Sequence, residues 1–143
     1  MKINRETDYA LRIMRTLAES GELTDAKTLS DRICVSTSFT LKILRKLCVN
    51  GLVLSRKGKS GGYMLNGDPD SITLRRIIEV TEGSLCIACC ISDGYVCESS
   101  GSDPGAVCFY NRLFKDINGY IAEKLDGITL GDVIKETDKN KNI

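Results

Sequence analysis

Residues 36–65 read STSFTLKILRKLCVNGLVLSRKGKSGGYML, and this stretch decides the fold. Phe39, Ile43, Leu44 and Leu47 recur at three- and four-residue spacing, which places them on the inner face of a helix. Ser36 or Thr37 caps that helix, which runs to about Asn50, and Gly51 closes it. Two β-prone runs follow, Leu52–Arg56 and Tyr63–Leu65, on either side of the glycine-rich tip Lys57-Gly58-Lys59-Ser60-Gly61-Gly62. That pattern predicts a hairpin. Immediately upstream, Thr24 or Asp25 opens a short helix with Ala26, Leu29 and Ile33 inward, and Val35-Ser36 makes the turn. Two helices about a tight turn, followed at once by a hairpin, spell a winged helix-turn-helix.

Working outward, Asn4 caps a first helix whose inner face is Tyr9, Ala10, Ile13, Met14, Leu17 and Ala18, ended by Gly21. Downstream, Asp68-Pro69-Asp70 is a break, and Thr73–Glu82 forms a helix with Leu74, Ile77, Ile78 and Thr81 inward. Residues 84–107 read as an irregular segment holding most of the cysteines. A long helix spans about Cys108–Leu125, with Phe109, Leu113, Ile117, Tyr120 and Ile121 on one stripe, broadened by Tyr110, Phe114 and Leu125. At 1.5 Å per residue it extends roughly 27 Å, too far for one small domain to cover, so the stripe points to a homodimer. Ile128–Ile134 is a last short helix, and the polar tail Lys135–Ile143 is expected to fray.

The predicted class is mainly α with a small β-hairpin: a winged helix-turn-helix domain plus a long dimerisation helix. The divisions are 1–67 for DNA binding, 68–83 for a connecting helix, 84–107 for a cysteine-rich cluster-binding loop, and 108–143 for the dimerisation helix and C-terminal segment.

The net charge of +1 conceals an asymmetry. Residues 1–67 carry twelve Lys or Arg against six Asp or Glu, whereas residues 68–143 carry eight against thirteen. From Arg32 to Gly67 there are seven basic residues and no acid, which suits a polyanion such as double-stranded DNA. Thr37, Ser38, Lys42, Arg45 and Lys46 occupy the outer side of the second helix of the motif and are the candidate readers. Lys57, Lys59 and Ser60 serve from the wing, and Arg12 is a further phosphate candidate.

No run is long and apolar enough to span a membrane, and no secretory signal opens the chain, so the expectation is a cytoplasmic protein with seven cysteines under reducing conditions. Histidine is absent, which excludes serine- or cysteine-histidine catalysis and any metal site with an imidazole ligand. Cys86, Cys89, Cys90, Cys97 and Cys108 lie within 23 positions. Thiolates so clustered suit an iron–sulfur cluster or zinc; the alternatives are thiols that react directly with oxidants, or that do nothing. Cys34 and Cys48, inside the helix-turn-helix, read as core or near-surface packing.

Taken in order, these motifs resemble the Rrf2 family of bacterial regulators, which includes IscR-like and NsrR-like iron–sulfur sensors. The likeness runs from about Met1 to Ile134. It is carried by Thr7-Asp8-Tyr9-Ala10-Leu11-Arg12, the wing Lys57–Tyr63, Glu79-Val80-Thr81-Glu82-Gly83, and Ile128-Thr129-Leu130-Gly131-Asp132-Val133. The resemblance implies a two-iron or four-iron cluster on three cysteines, matched here by Cys90, Cys97 and Cys108. Two-iron members often add a histidine three positions after the last cysteine, where this chain has Asn111. Some four-iron members take an aspartate from the partner subunit's first helix, and Asp8 matches it; otherwise Asp8 is a solvated acid of a helix's first turn. Ten residues separate Cys97 from Cys108, more than is usual in the family, and Cys86 and Cys89 are additional. Two other readings stay open: a cluster-free regulator controlled by thiol oxidation or a protein partner, and a thiol oxidoreductase using Cys86-x-x-Cys89.

Overall fold

The computed structural model describes residues 3–97 and 108–141. Helix α1 is Arg5–Ser20, capped by the Asn4 side chain, which accepts from the Thr7 amide, and stopped by Gly21 in the left-handed conformation. A cap contributes about 1 kcal/mol, whereas each fully buried Ile, Met or Leu contributes about 1.5–3 kcal/mol. The burial of Ala10, Ile13, Met14 and Leu17 therefore outweighs the cap in holding α1 in place. Helix α2 is Ala26–Ile33, capped by Asp25 through Thr28. Helix α3 is Thr37–Val49 and buries Thr40, Ile43, Leu44 and Leu47. Ser36 occupies the cap position of α3 without a side-chain hydrogen bond.

The wing is an antiparallel pair, β1 Val53–Arg56 and β2 Gly62–Leu65, with Val53 opposite Leu65 and Arg56 opposite Gly62. A third segment joins it. Thr24 and Tyr63 exchange two backbone hydrogen bonds of 2.9 Å, fastening the wing to the connection between α1 and α2. This register requires glycine at the wing's closing end. A Cβ on Gly61 would lie 2.1 Å from the Arg56 carbonyl oxygen, and one on Gly62 would lie 2.8 Å from that of Thr24. Both clashes are with backbone, which cannot swing aside.

The break at Asp68–Asp70 is a short 3-10 turn, Pro69–Ser71, capped by Asp68. Helix α4 follows as Leu74–Glu82, with Thr73 as its cap. After a short 3-10 turn, Cys89–Ile91, the long helix α5 runs Phe109–Asp126 with Cys108 at its cap position. Helix α6, Leu130–Lys141, returns to the body and inserts the buried Leu130 into the single core.

Two expectations need correction. The tail expected to fray is helical as far as Lys141. Thr129 and Asp132 cap it reciprocally, Lys135 pairs with Asp70 at 2.9 Å, and neither glycine nor proline interrupts the chain after Gly131. Cys34, read as core or near-surface packing, is not in the core but exposed; it ends α2 in the left-handed conformation with φ 56°. Cys48 does pack against the core, and burial pushes its thiol above the usual range, opposed by a hydrogen bond with Ser55.

Candidate nucleic-acid interface and cysteine loop

One face of α3 is fixed inward by its apolar residues, so Ser38, Leu41, Lys42 and Arg45 are left exposed on the other. Thr37 is half-buried, its hydroxyl 3.1 Å from that of Ser30 on α2, so of the two hydroxyls expected to read DNA only Ser38 is fully presented. Leu41 was not anticipated from sequence. It is 42% exposed between Ser38 and Lys42, and an apolar side chain there suits a thymine methyl. Its signal was an apolar residue out of step with the buried spacing. In the wing, Arg56, Lys57, Lys59 and Ser60 are all exposed. Among the described residues Arg45, Arg56, Lys57 and Lys59 form no ion pair, which leaves four unmatched cations for phosphate.

Lys42 and Lys46 differ. Both face Glu6 of α1: Lys46 Nζ lies 2.5 Å from Glu6 Oε1 and Lys42 Nζ 3.6 Å from Oε2. Their cations hold the Glu6 carboxyl below the usual glutamate range, chiefly through the close Lys46 ammonium and against the opposing effect of burial. Lys42 also lies 5.6 Å from the centre of the Phe39 ring, which meets Tyr9 of α1 edge-on at 5.8 Å. Glu6 was missed in the sequence because its partners are remote in the chain.

The start of α1 is tied on its other side to the end of α4. Glu82 accepts from the Asn4 backbone amide and side-chain amide, both at 2.9 Å, and from the Thr7 hydroxyl at 2.5 Å. Thr7 is fully buried and its hydroxyl lies 2.7 Å from that of Thr81. Next to this junction, beyond Gly83, the cysteine segment begins. Asn118 of α5 clasps it, donating to the Leu85 carbonyl at 3.0 Å and accepting from the Ile87 amide at 3.2 Å. Two turns earlier on α5, Asn111 donates to the Cys90 carbonyl. Asn111 thus holds the backbone of the cysteine segment.

Cys86, Cys89 and Cys108 are exposed, and Cys90 and Cys97 are half-buried. Residues 98–107, the end of the predicted loop, lie outside the described residues. As soft thiolate donors the cysteines suit an iron–sulfur cluster, and the Asn111 bond brings Cys90 to the first turn of the helix that Cys108 opens. Among the described residues, however, no three Cys, Asp or Glu side chains are grouped to hold a metal ion. Asp8 forms an exposed pair with Arg12 at 2.9 Å, and Arg12 lies over the Tyr9 ring. Such a pair is worth less than about 1 kcal/mol, so it leaves Asp8 open to exchange of partner.

On α5 no residue is fully buried, and Phe109, Tyr110, Leu113, Ile117 and Tyr120 are exposed by 39–72%. A continuous exposed apolar stripe of this kind marks an interaction surface. Among the described residues, no helix is long and apolar enough to cross a membrane.

Residues 3–136 match the Rrf2 family, described as iron-dependent transcriptional regulators. The chain is 28% identical over 141 residues to the HTH-type transcriptional regulator IscR of Vibrio campbellii, covering 96% of this chain and 80% of that protein. Among solved structures it is similar to CymR, the global cysteine regulator of B. subtilis, at 30% identity and a TM-score of 0.76, covering 95% of this chain and 98% of the other. It is likewise similar to T. potens IscR, at 25% identity and a TM-score of 0.76, covering 98% of this chain and 90% of the other.

Proposed function

This chain belongs to the Rrf2 family of transcriptional regulators, and from that premise we propose that it binds double-stranded DNA as a homodimer and senses a redox, iron–sulfur or nitric oxide signal at its cysteine segment. The family comprises regulators and not enzymes, so the thiol oxidoreductase reading is set aside. One observation carries the DNA-binding half: the exposed face of α3 and the wing together present Arg45, Arg56, Lys57 and Lys59, which have no counter-charge among the described residues. Thr37, Ser38 and Ser60 complete the interface, and Lys42 and Lys46 lie at its edge, paired with Glu6. The N-terminus of α3 and its side chains enter the major groove, and the wing grips phosphates or the minor groove. The apolar stripe of α5 pairs the subunits about a two-fold axis.

Cys90, Cys97 and Cys108 would hold an iron–sulfur cluster, with Asp8 of the partner subunit as a further ligand and Cys86 and Cys89 as additional thiols. A bound cluster would supply a centre whose charge and ligand demand change on oxidation or attack by nitric oxide. The chain's own part is the relay: Asn111 and Asn118 hold the cysteine segment to α5, and Glu82 joins its root to the start of α1, which packs on α3. For this to work as a switch, the two states of the segment must differ in their free energy of DNA binding. A cluster-free thiol regulator is the second reading, favoured by the donors' being ungrouped among the described residues.

Two experiments test the proposal. Enrichment of bound duplexes from a random-sequence pool is expected to yield a near-palindrome with half-sites about one or two helical turns apart. An unenriched pool would contradict DNA reading. Anaerobic purification is expected to give a coloured protein with matched iron and sulfide, lost in Cys90→Ala, Cys97→Ala and Cys108→Ala. Colourless wild-type protein would contradict the cluster and leave the thiol reading.

A further inference from the structure

Helix α3 carries three cations in five positions, Lys42, Arg45 and Lys46, yet among the described residues only Arg45 is without a counter-charge. The carboxylate facing the other two is deliberately placed by the fold. Glu6 lies in the first turn of α1, where a negative charge is favoured by the helix dipole. Its side chain is only 16% exposed, and its Oε1 is buried against Lys46. The neighbouring Tyr9–Phe39 edge contact fixes α1 against α3, and Phe39 in turn steadies Lys42. The acid is therefore not a mobile surface charge that could swing out when a polyanion approaches.

We infer that Glu6 is a specificity-determining residue for DNA binding: it acts as an internal stand-in for phosphate that holds Lys46 back from the nucleic-acid backbone and draws on the more exposed Lys42. This deepens the DNA-binding reading and rests on it. Phosphate contacts give affinity without sequence information, each adding about 0.9 to the slope of log K against log salt. One carboxylate set between two cations offsets one of their charges and draws both ammonium groups toward itself, which reduces that indiscriminate attraction. Recognition then leans on Ser38, Leu41 and Arg45, the groups on the same face that can touch bases. Because Glu6 adjoins Thr7, which is bonded to Glu82 and lies against Thr81, a shift of the cysteine segment's root alters how firmly the two lysines are held.

The test uses the full-length protein and a fluorescent duplex of random sequence, several helical turns long, titrated between about 50 and about 200 mM salt. Glu6→Gln is expected to steepen the salt slope by up to about 1.8 and to tighten binding about tenfold or more at low salt. The triple variant Glu6→Gln, Lys42→Gln, Lys46→Gln is expected to return the slope to the wild-type value. An unchanged slope in Glu6→Gln, with helical circular dichroism retained, overturns the role of Glu6 and leaves DNA binding intact. Failure of the wild type to bind the duplex at low salt overturns the DNA-binding reading itself. A second readout needs no variant: in the wild type, amine acylation followed by mass spectrometry is expected to label Lys46 more slowly than Lys57 and Lys59. Equal rates would overturn the masking.

Discussion

Asn4 is joined to Glu82 by two hydrogen bonds of 2.9 Å, one from its backbone amide and one from its side-chain amide, so the cap of the first helix is also the fastening of the fourth. With the Thr7 hydroxyl added, one carboxylate serves three donors at the seam between the DNA-binding head and the cysteine segment. Hydrogen bonds to a charged acceptor are worth more than neutral ones, but this site is partly exposed. Glu82→Ala is therefore expected to lower stability by about 1–2 kcal/mol. Urea unfolding checks this: the midpoint should fall with an unchanged m-value.

The wing depends on backbone geometry as well as charge. A side chain on Gly61 meets the Arg56 carbonyl at a distance that no real Cβ adopts. Gly61→Ala should thus distort the tip and weaken DNA binding by about 1–2 kcal/mol although it removes no charge. Equilibrium binding to a duplex checks it, and retained full affinity would show that the tip does not take part.

Dimerisation is expected to reside on α5. Ile117 is 40% exposed, so Ile117→Glu should leave the protomer folded while placing a charge in the interface. Sedimentation velocity should shift from dimer to monomer, with circular dichroism unchanged. A dimer that persists would move the interface elsewhere.

Acid should loosen two helix starts. The Asp25 carboxyl is held below its ordinary value of 3.8, first by the Thr28 hydroxyl and then by the Thr28 amide. That of Asp132 is lowered first by the Thr129 amide and then by its hydroxyl. A depressed folded-state pKa means that the stabilisation is fully present above the unfolded value and is lost as pH falls through the folded one. The urea midpoint should therefore drop below about pH 4, and Asp25→Asn with Asp132→Asn, which keep the caps but cannot titrate, should flatten that drop.

Much of this architecture could be read from the sequence because its signals are local. Asn4, Asp25 and Thr73 each cap a helix within three residues, and the paired glycines at 61 and 62 mark the wing because two backbones meet there. The order of these motifs also identified the family. What escaped were contacts between segments far apart in the chain. Lys135 reaches Asp70 and extends α6 through a tail that composition alone marks as frayed. Glu6 reaches across to α3, so two cations that appear free in the sequence are already paired. Asn111 looked like the absence of a ligand and proves to hold the Cys90 carbonyl. Cysteine spacing identifies a donor set, but whether the thiols converge depends on the loop's path, which spacing does not encode.

The central claim is that α3 and the wing grip duplex DNA through uncompensated cations, and its most direct test is the salt dependence of duplex binding by the wild type and by Lys57→Ala, Lys59→Ala. The account predicts tight wild-type binding at low ionic strength, with a log–log slope that becomes shallower by up to about 1.8 when both lysines are removed. A wild-type protein that leaves the duplex unbound at low salt, or a slope indifferent to both substitutions, would contradict it.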